Sequence, residues 1–145
     1  MKKPSLAILG CVGVPAKYGG FETLAENLAK FAKKNNINVN LSIYCSGPFY
    51  KTKTLSFFNA KLIYLPIHAN GIQSIIYDGL SLLHSIFRRQ NNILILGVSG
   101  AIFLPIIKKL SRARIIINVD GIEWKREKWT GFAKKFLKFS ESCAM

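Results

Sequence analysis

Cysteine, carboxylate and long apolar runs are all in short supply in this chain. The three cysteines, Cys11, Cys45 and Cys143, show no C-x-x-C spacing and no nearby histidine partner, which argues against a metal site and fits a reducing cytoplasm. Residues 93–107 are nearly all apolar, but Gly97, Gly100 and Pro105 interrupt them, and they fall short of the roughly 20 residues that cross a bilayer. At the N-terminus, Lys2 and Lys3 precede only about four apolar residues before Gly10, where a signal peptide needs roughly 7–15. Neither segment is expected to be an anchor. Seven Asp and Glu stand against 21 Lys and Arg, a formal net charge of +14. That imbalance implies an anionic partner, whether nucleic acid, an anionic membrane surface or a phosphorylated substrate. With half of its 145 residues hydrophobic, the chain is not disordered and can bury the core of one domain.

What is present is a regular alternation of strand-like and helix-like segments. Strands are expected at residues 6–9, 39–45, 61–67, 93–98 and 114–119. Helices are expected at residues 21–34, after a cap at Ser74, at 101–110 and at 130–145. In the first helix Phe21, Leu24, Leu28 and Phe31 recur at helical spacing, and in the second Ile76, Leu80, Leu83 and Phe87 share one face. Strands apolar on both faces and separated by helices predict an α/β fold, a Rossmann-like, doubly wound and mostly parallel sheet. Ligands of such a sheet bind beyond the carboxyl ends of the strands, here residues 10–20, 45–50, 68–71, 97–100 and 120–124.

Two of those segments carry the chemistry. Residues 10–23 hold Gly10, Gly13, Gly19 and Gly20 between the first strand and the first helix, an arrangement that offers backbone N–H groups and a helix N-terminus to a phosphate. The spacing is neither G-x-G-x-x-G nor a phosphate loop ending in G-K-[ST], so a nicotinamide site is not expected, and a plain chain reversal is the competing reading. In residues 118–129, Asp120 and Glu123 stand at a strand end before Trp124, Lys125, Arg126 and Trp129. Carboxylates there can accept sugar hydroxyls or act as a general base, tryptophans offer flat faces to sugar rings, and Lys and Arg can hold phosphates. The competing reading is an ordinary charged helix start. The tail, with Phe132, Phe136 and Phe139 on one stripe among Lys134, Lys135 and Lys138, suits either an anionic membrane surface or a packing helix.

Residues 13–23 and 120–129 together resemble the N-terminal domain of bacterial GT-B glycosyltransferases, in the subgroup of rhamnosyltransferases that build capsule, O-antigen and other cell-surface polysaccharides. Ala69-Asn70-Gly71 and residues 96–101 look like the same subgroup, so the resemblance runs through four places in order. It implies transfer of a sugar, with rhamnose among the candidates, from a nucleotide-sugar donor to a polysaccharide or lipid-linked oligosaccharide acceptor, peripherally on the cytoplasmic face of the bacterial membrane. By carry-over Gly13, Gly19 and Gly20 border the donor diphosphate. Tyr18, Glu22, Asn70, Ser99, Trp124, Lys125 and Arg126 are expected on the acceptor side, and Asp120 and Glu123 are the catalytic candidates. Neither metal nor cofactor is expected, because helix dipoles and cations stabilise the leaving diphosphate in this fold.

The resemblance also implies a division of labour. Residues 1–125 form the acceptor-side domain, and residues 126–145 form a helix leading toward a donor-binding C-terminal domain or partner chain. The chain is therefore expected to be half of a two-domain GT-B architecture and inactive as a transferase by itself. That reading expects an anionic membrane surface and no nucleic acid among its partners. The alternatives are a basic α/β module binding nucleic acid or another anion, although no helix-turn-helix, zinc-finger or RNP signature supports it, and an inert truncated remnant.

Overall fold

A computed structural model describes residues 3–17, 19–119 and 131–144. Strands β1 (Ser5–Leu9), β2 (Asn40–Ser46), β3 (Ser56–Phe57), β4 (Ala60–Leu65), β5 (Asn92–Leu96) and β6 (Arg114–Asn118) alternate with helices α1 (Gly20–Lys34), α2 (Gln73–Phe87), α3 (Leu104–Leu110) and α4 (Gly131–Ala144). They form one sheet in the order β3-β4-β2-β1-β5-β6, parallel throughout except for the β3–β4 pair. This is the expected Rossmann-like layer. The two-residue β3 is an addition: with a single antiparallel step to Lys61 and Ala60, it is too short to leave a periodic signal.

The apolar strands serve two cores because successive side chains point to opposite faces. Ile8 and Ile43 pack with Ala25 and Ala29 of α1 on one face. Ala7, Leu9, Tyr44, Ile93 and Ile95 pack with Leu82 of α2 and Leu104 and Ile107 of α3 on the other. Small alanines on α1 bring the helix close to the sheet, while Phe21, Leu24 and Leu28 flank the contact and Phe31 is left exposed.

Helix α2 departs from the ordinary amphipathic arrangement. The face that shares Ile76, Leu80, Leu83 and Phe87 is turned to solvent, and the buried face is Tyr77, Asp78, Gly79, Ser81, Leu82 and Ser85. Its polar groups are satisfied where they lie. The Tyr77 hydroxyl donates to the Cys11 carbonyl at 3.1 Å, and Ser81 and Ser85 donate to the Tyr77 and Leu82 carbonyls at 2.7 Å. Ser74 does not cap the helix; its hydroxyl donates back to the Gly71 carbonyl at 2.7 Å, and Ile72 is the capping position. Helix α4 packs against the turn at Ala101–Phe103 and against α3. Its Leu137 and Ser140 are buried, whereas Phe132 and Phe139 are exposed. Ser140 bridges backbone, donating to the Val98 carbonyl and accepting from the Ile102 N–H. No helix among the described residues is long and apolar enough to cross a membrane.

Candidate functional site

The sheet reverses its winding between β1 and β5, and a crevice at such a switch point is where an open α/β sheet takes a ligand. The loops after these two strands meet there. Gly10 has a φ of +83°, and a Cβ on it would lie 2.2 Å from the Leu96 carbonyl oxygen, so only glycine lets the chain leaving β1 pass this close to the end of β5. Gly13 has a φ of +131°, and a Cβ there would lie 2.7 Å from the Cys45 sulfur. Gly13 is buried, and its role is to let the loop close over β2.

Gly19 and Gly20 differ from it. Both are exposed; a Cβ on Gly20 would meet nothing within 4 Å, and one on Gly19 only the Glu22 carboxylate at 3.2 Å. Gly19 is the N-cap of α1, and no side chain caps the helix. The positive end of a 15-residue helix therefore lies at the carboxyl edge of the sheet, and its N-cap and first helical residue carry no side chain.

The loop leading to that point is held by two carboxylates one helical turn apart. Glu22 Oε1 accepts the Val12 N–H at 2.7 Å, and Glu26 Oε2 accepts the Ala16 N–H at 2.7 Å. Glu26 also pairs with Lys30 at 2.6 Å, one turn further along the helix. The Ala16 N–H and then the Lys30 ammonium hold its carboxyl below the usual range. Glu22 is buried at 4% exposure, so it acts as a brace beneath the loop. The loop's rim is completed by Tyr50, whose hydroxyl donates to the Pro15 carbonyl at 3.1 Å and whose titration burial raises. The Val14–Pro15 peptide is cis. Cys11 and Cys45 lie beneath, buried and reduced; burial raises the Cys11 thiol well above its ordinary value and pushes Cys45 up to about 11.

On the β5 side, Ser99 donates to Asp78. Asp78 is 4% exposed, and burial pushes its carboxyl up to about 7, against the Ser99 hydrogen bond that lowers it. Asp78 was not among the sequence candidates, because nothing local to residues 73–87 tells that Ser99 and the strand-end loop will close over it. Asn70 is half-buried in the loop after β4, where the Ala69 N–H donates to Ser46 Oγ at 3.2 Å. β4 and β5 are three places apart in the sheet, roughly 14 Å at ordinary strand spacing. Asn70 and Ser99 thus stand well apart along the carboxyl edge, with the loop into α1 that carries Gly19 and Gly20 rising from β1 between them. Tyr18, Asp120, Glu123, Trp124, Lys125, Arg126 and the 125/126 boundary lie outside the described residues. Among the described residues, no group of three His, Cys, Asp or Glu side chains could hold a metal ion.

A family model described as a domain of unknown function, DUF1972, matches residues 3–145. No curated protein matches the chain.

Proposed function

The chain belongs to the DUF1972 family, and on that premise we propose that it is the acceptor-side domain of a glycosyltransferase of GT-B type. In this reading a nucleotide sugar gives up its sugar, rhamnose being one candidate, to a lipid-linked or polysaccharide acceptor seated along the carboxyl edge. The observation that carries it is the uncapped N-terminus of α1 at Gly19 and Gly20, open at the switch point of the sheet. A leaving diphosphate gains from N–H groups and a helix dipole already aimed at where its charge develops. Glu22 and Glu26 tie the Val12 and Ala16 N–H groups of the loop that leads to that opening. Asp120 and Glu123 are proposed as the groups that address the acceptor hydroxyl, with Trp124, Lys125 and Arg126 around it. A donor-binding domain or partner chain completes the cleft.

The test is a transfer assay on a polypeptide carrying this domain together with a donor-binding domain. A panel of labelled UDP-, GDP- and dTDP-sugars is incubated with a bacterial lipid-linked saccharide fraction. Label moving into that fraction with one donor is the expected result. No transfer and no donor hydrolysis across the panel would overturn the reading.

A further inference from the structure

The outward face of α2 is apolar. At about 100° per residue, Ile72, Ile76, Leu80, Leu83 and Phe87 fall within an arc of about 80°. All five are exposed, from 43% at Leu80 to 90% at Phe87. A helix normally turns such a stripe inward; α2 and its capping residue Ile72 instead present five large apolar side chains to water, while Asp78, Ser81 and Ser85 are buried beside Tyr77 and Leu82. An exposed apolar stripe of this length marks a contact surface.

Charge identifies what fits on it. The stripe ends in exposed Arg88 and Arg89. These arginines also line a groove of about 790 Å³ at the amino edge of the sheet, with Lys3, Lys33, Lys61 and Gln90 and no carboxylate. On the same side of the sheet, α3 exposes Ile106 and Leu110 beside Lys108 and Lys109. Of the described carboxylates, Glu22 and Asp78 are buried and Glu26 and Glu141 half-buried, so none lies in the open to offset these cations. A second copy of a chain with net charge +14 would bring the same cations against them and be repelled. A bilayer with anionic headgroups answers both features at once, acyl chains for the stripe and phosphates for its rim.

We propose that α2 is a monotopic membrane-docking helix. Ile72, Ile76, Leu80, Leu83 and Phe87 enter the interface of an anionic bilayer, and Arg88 and Arg89 sit on lipid phosphates. This gives a surface to the anionic membrane expected as a partner. It rests on α2 and not on the glycine loop, and vesicle binding is read with no nucleotide sugar present, so it and the transfer reading fail separately.

The test is co-sedimentation of the whole chain with vesicles of phosphatidylcholine, with and without about 30% phosphatidylglycerol, at moderate salt. Wild type is expected to partition about tenfold more strongly onto the anionic vesicles. Leu83→Ser with Phe87→Ser, both at exposed positions, should lose about tenfold of that binding while keeping the wild-type circular dichroism and melting temperature. Arg88→Gln with Arg89→Gln should lose binding to anionic vesicles alone. The proposal is overturned if wild type ignores anionic vesicles, or if the serine variant binds as well as wild type, which would mean surface charge alone holds the protein. It is equally overturned if ultracentrifugation shows a dimer that the serine variant dissolves and that vesicles leave intact.

Discussion

At the scale of single residues, the carboxylates divide by what they touch. Glu22 supplies the acceptor for the buried Val12 N–H, so Glu22→Ala should cost about 1–3 kcal/mol in urea unfolding. Asp78 works in the opposite sense. Its folded-state pKa of about 7 lies above the ordinary aspartate value of 3.8, so between those values the folded chain holds a proton that the unfolded chain has released. Its contribution to stability is present in full below about pH 4, falls as pH rises, and is gone above about pH 7, a change on the order of 4 kcal/mol. Asp78→Asn should flatten that part of the stability profile, read as the difference between variant and wild type at pH 5 and pH 8. The buried thiols give a third check. Cys11 and Cys45, held protonated by burial, should react with a disulfide reagent only on denaturation, whereas half-exposed Cys143 reacts in the native state.

At the scale of elements, the glycines separate packing from binding. Gly13→Ala places a methyl against Cys45 at a backbone angle that side chains avoid, and should destabilise the domain by about 2 kcal/mol or more. Gly20→Ala meets open space and begins a helix, so the melting temperature should hold or rise slightly. The sequence makes this first βα unit readable because residues 6–9 and the Phe21, Leu24, Leu28 spacing are strong local signals, and the four glycines between them mark a turn. It does not tell which glycine is pinned by Cys45 and which is open, since that depends on contacts more than thirty residues away. Helix α2 shows the same limit. Periodicity groups Ile76, Leu80, Leu83 and Phe87 on one face, but whether that face meets the sheet is decided by what the other face can satisfy. Here Tyr77 reaches Cys11 and Asp78 reaches Ser99, and the polar face goes in.

At the scale of the whole molecule, the alternation of segments was enough to give a parallel α/β sheet, because each buried strand is apolar on both faces. The positions of the strand ends then place Gly19, Gly20, Asn70 and Ser99 along one edge, as the sequence reading expects, while Asp78 and the Glu22 and Glu26 braces emerge only from long-range contacts. Part of the positive charge gathers at the groove beside Arg88 and Arg89, where Lys3, Lys33 and Lys61 join them. Sugar transfer at the opening of α1 is the central claim for this chain. The most direct measurement is the initial rate of transfer from a labelled nucleotide sugar by the two-domain protein, wild type against Gly20→Val. Wild type should transfer, and the variant should lose about tenfold or more of the rate with its melting temperature unchanged. Equal rates, or no transfer by wild type from any donor, would contradict it.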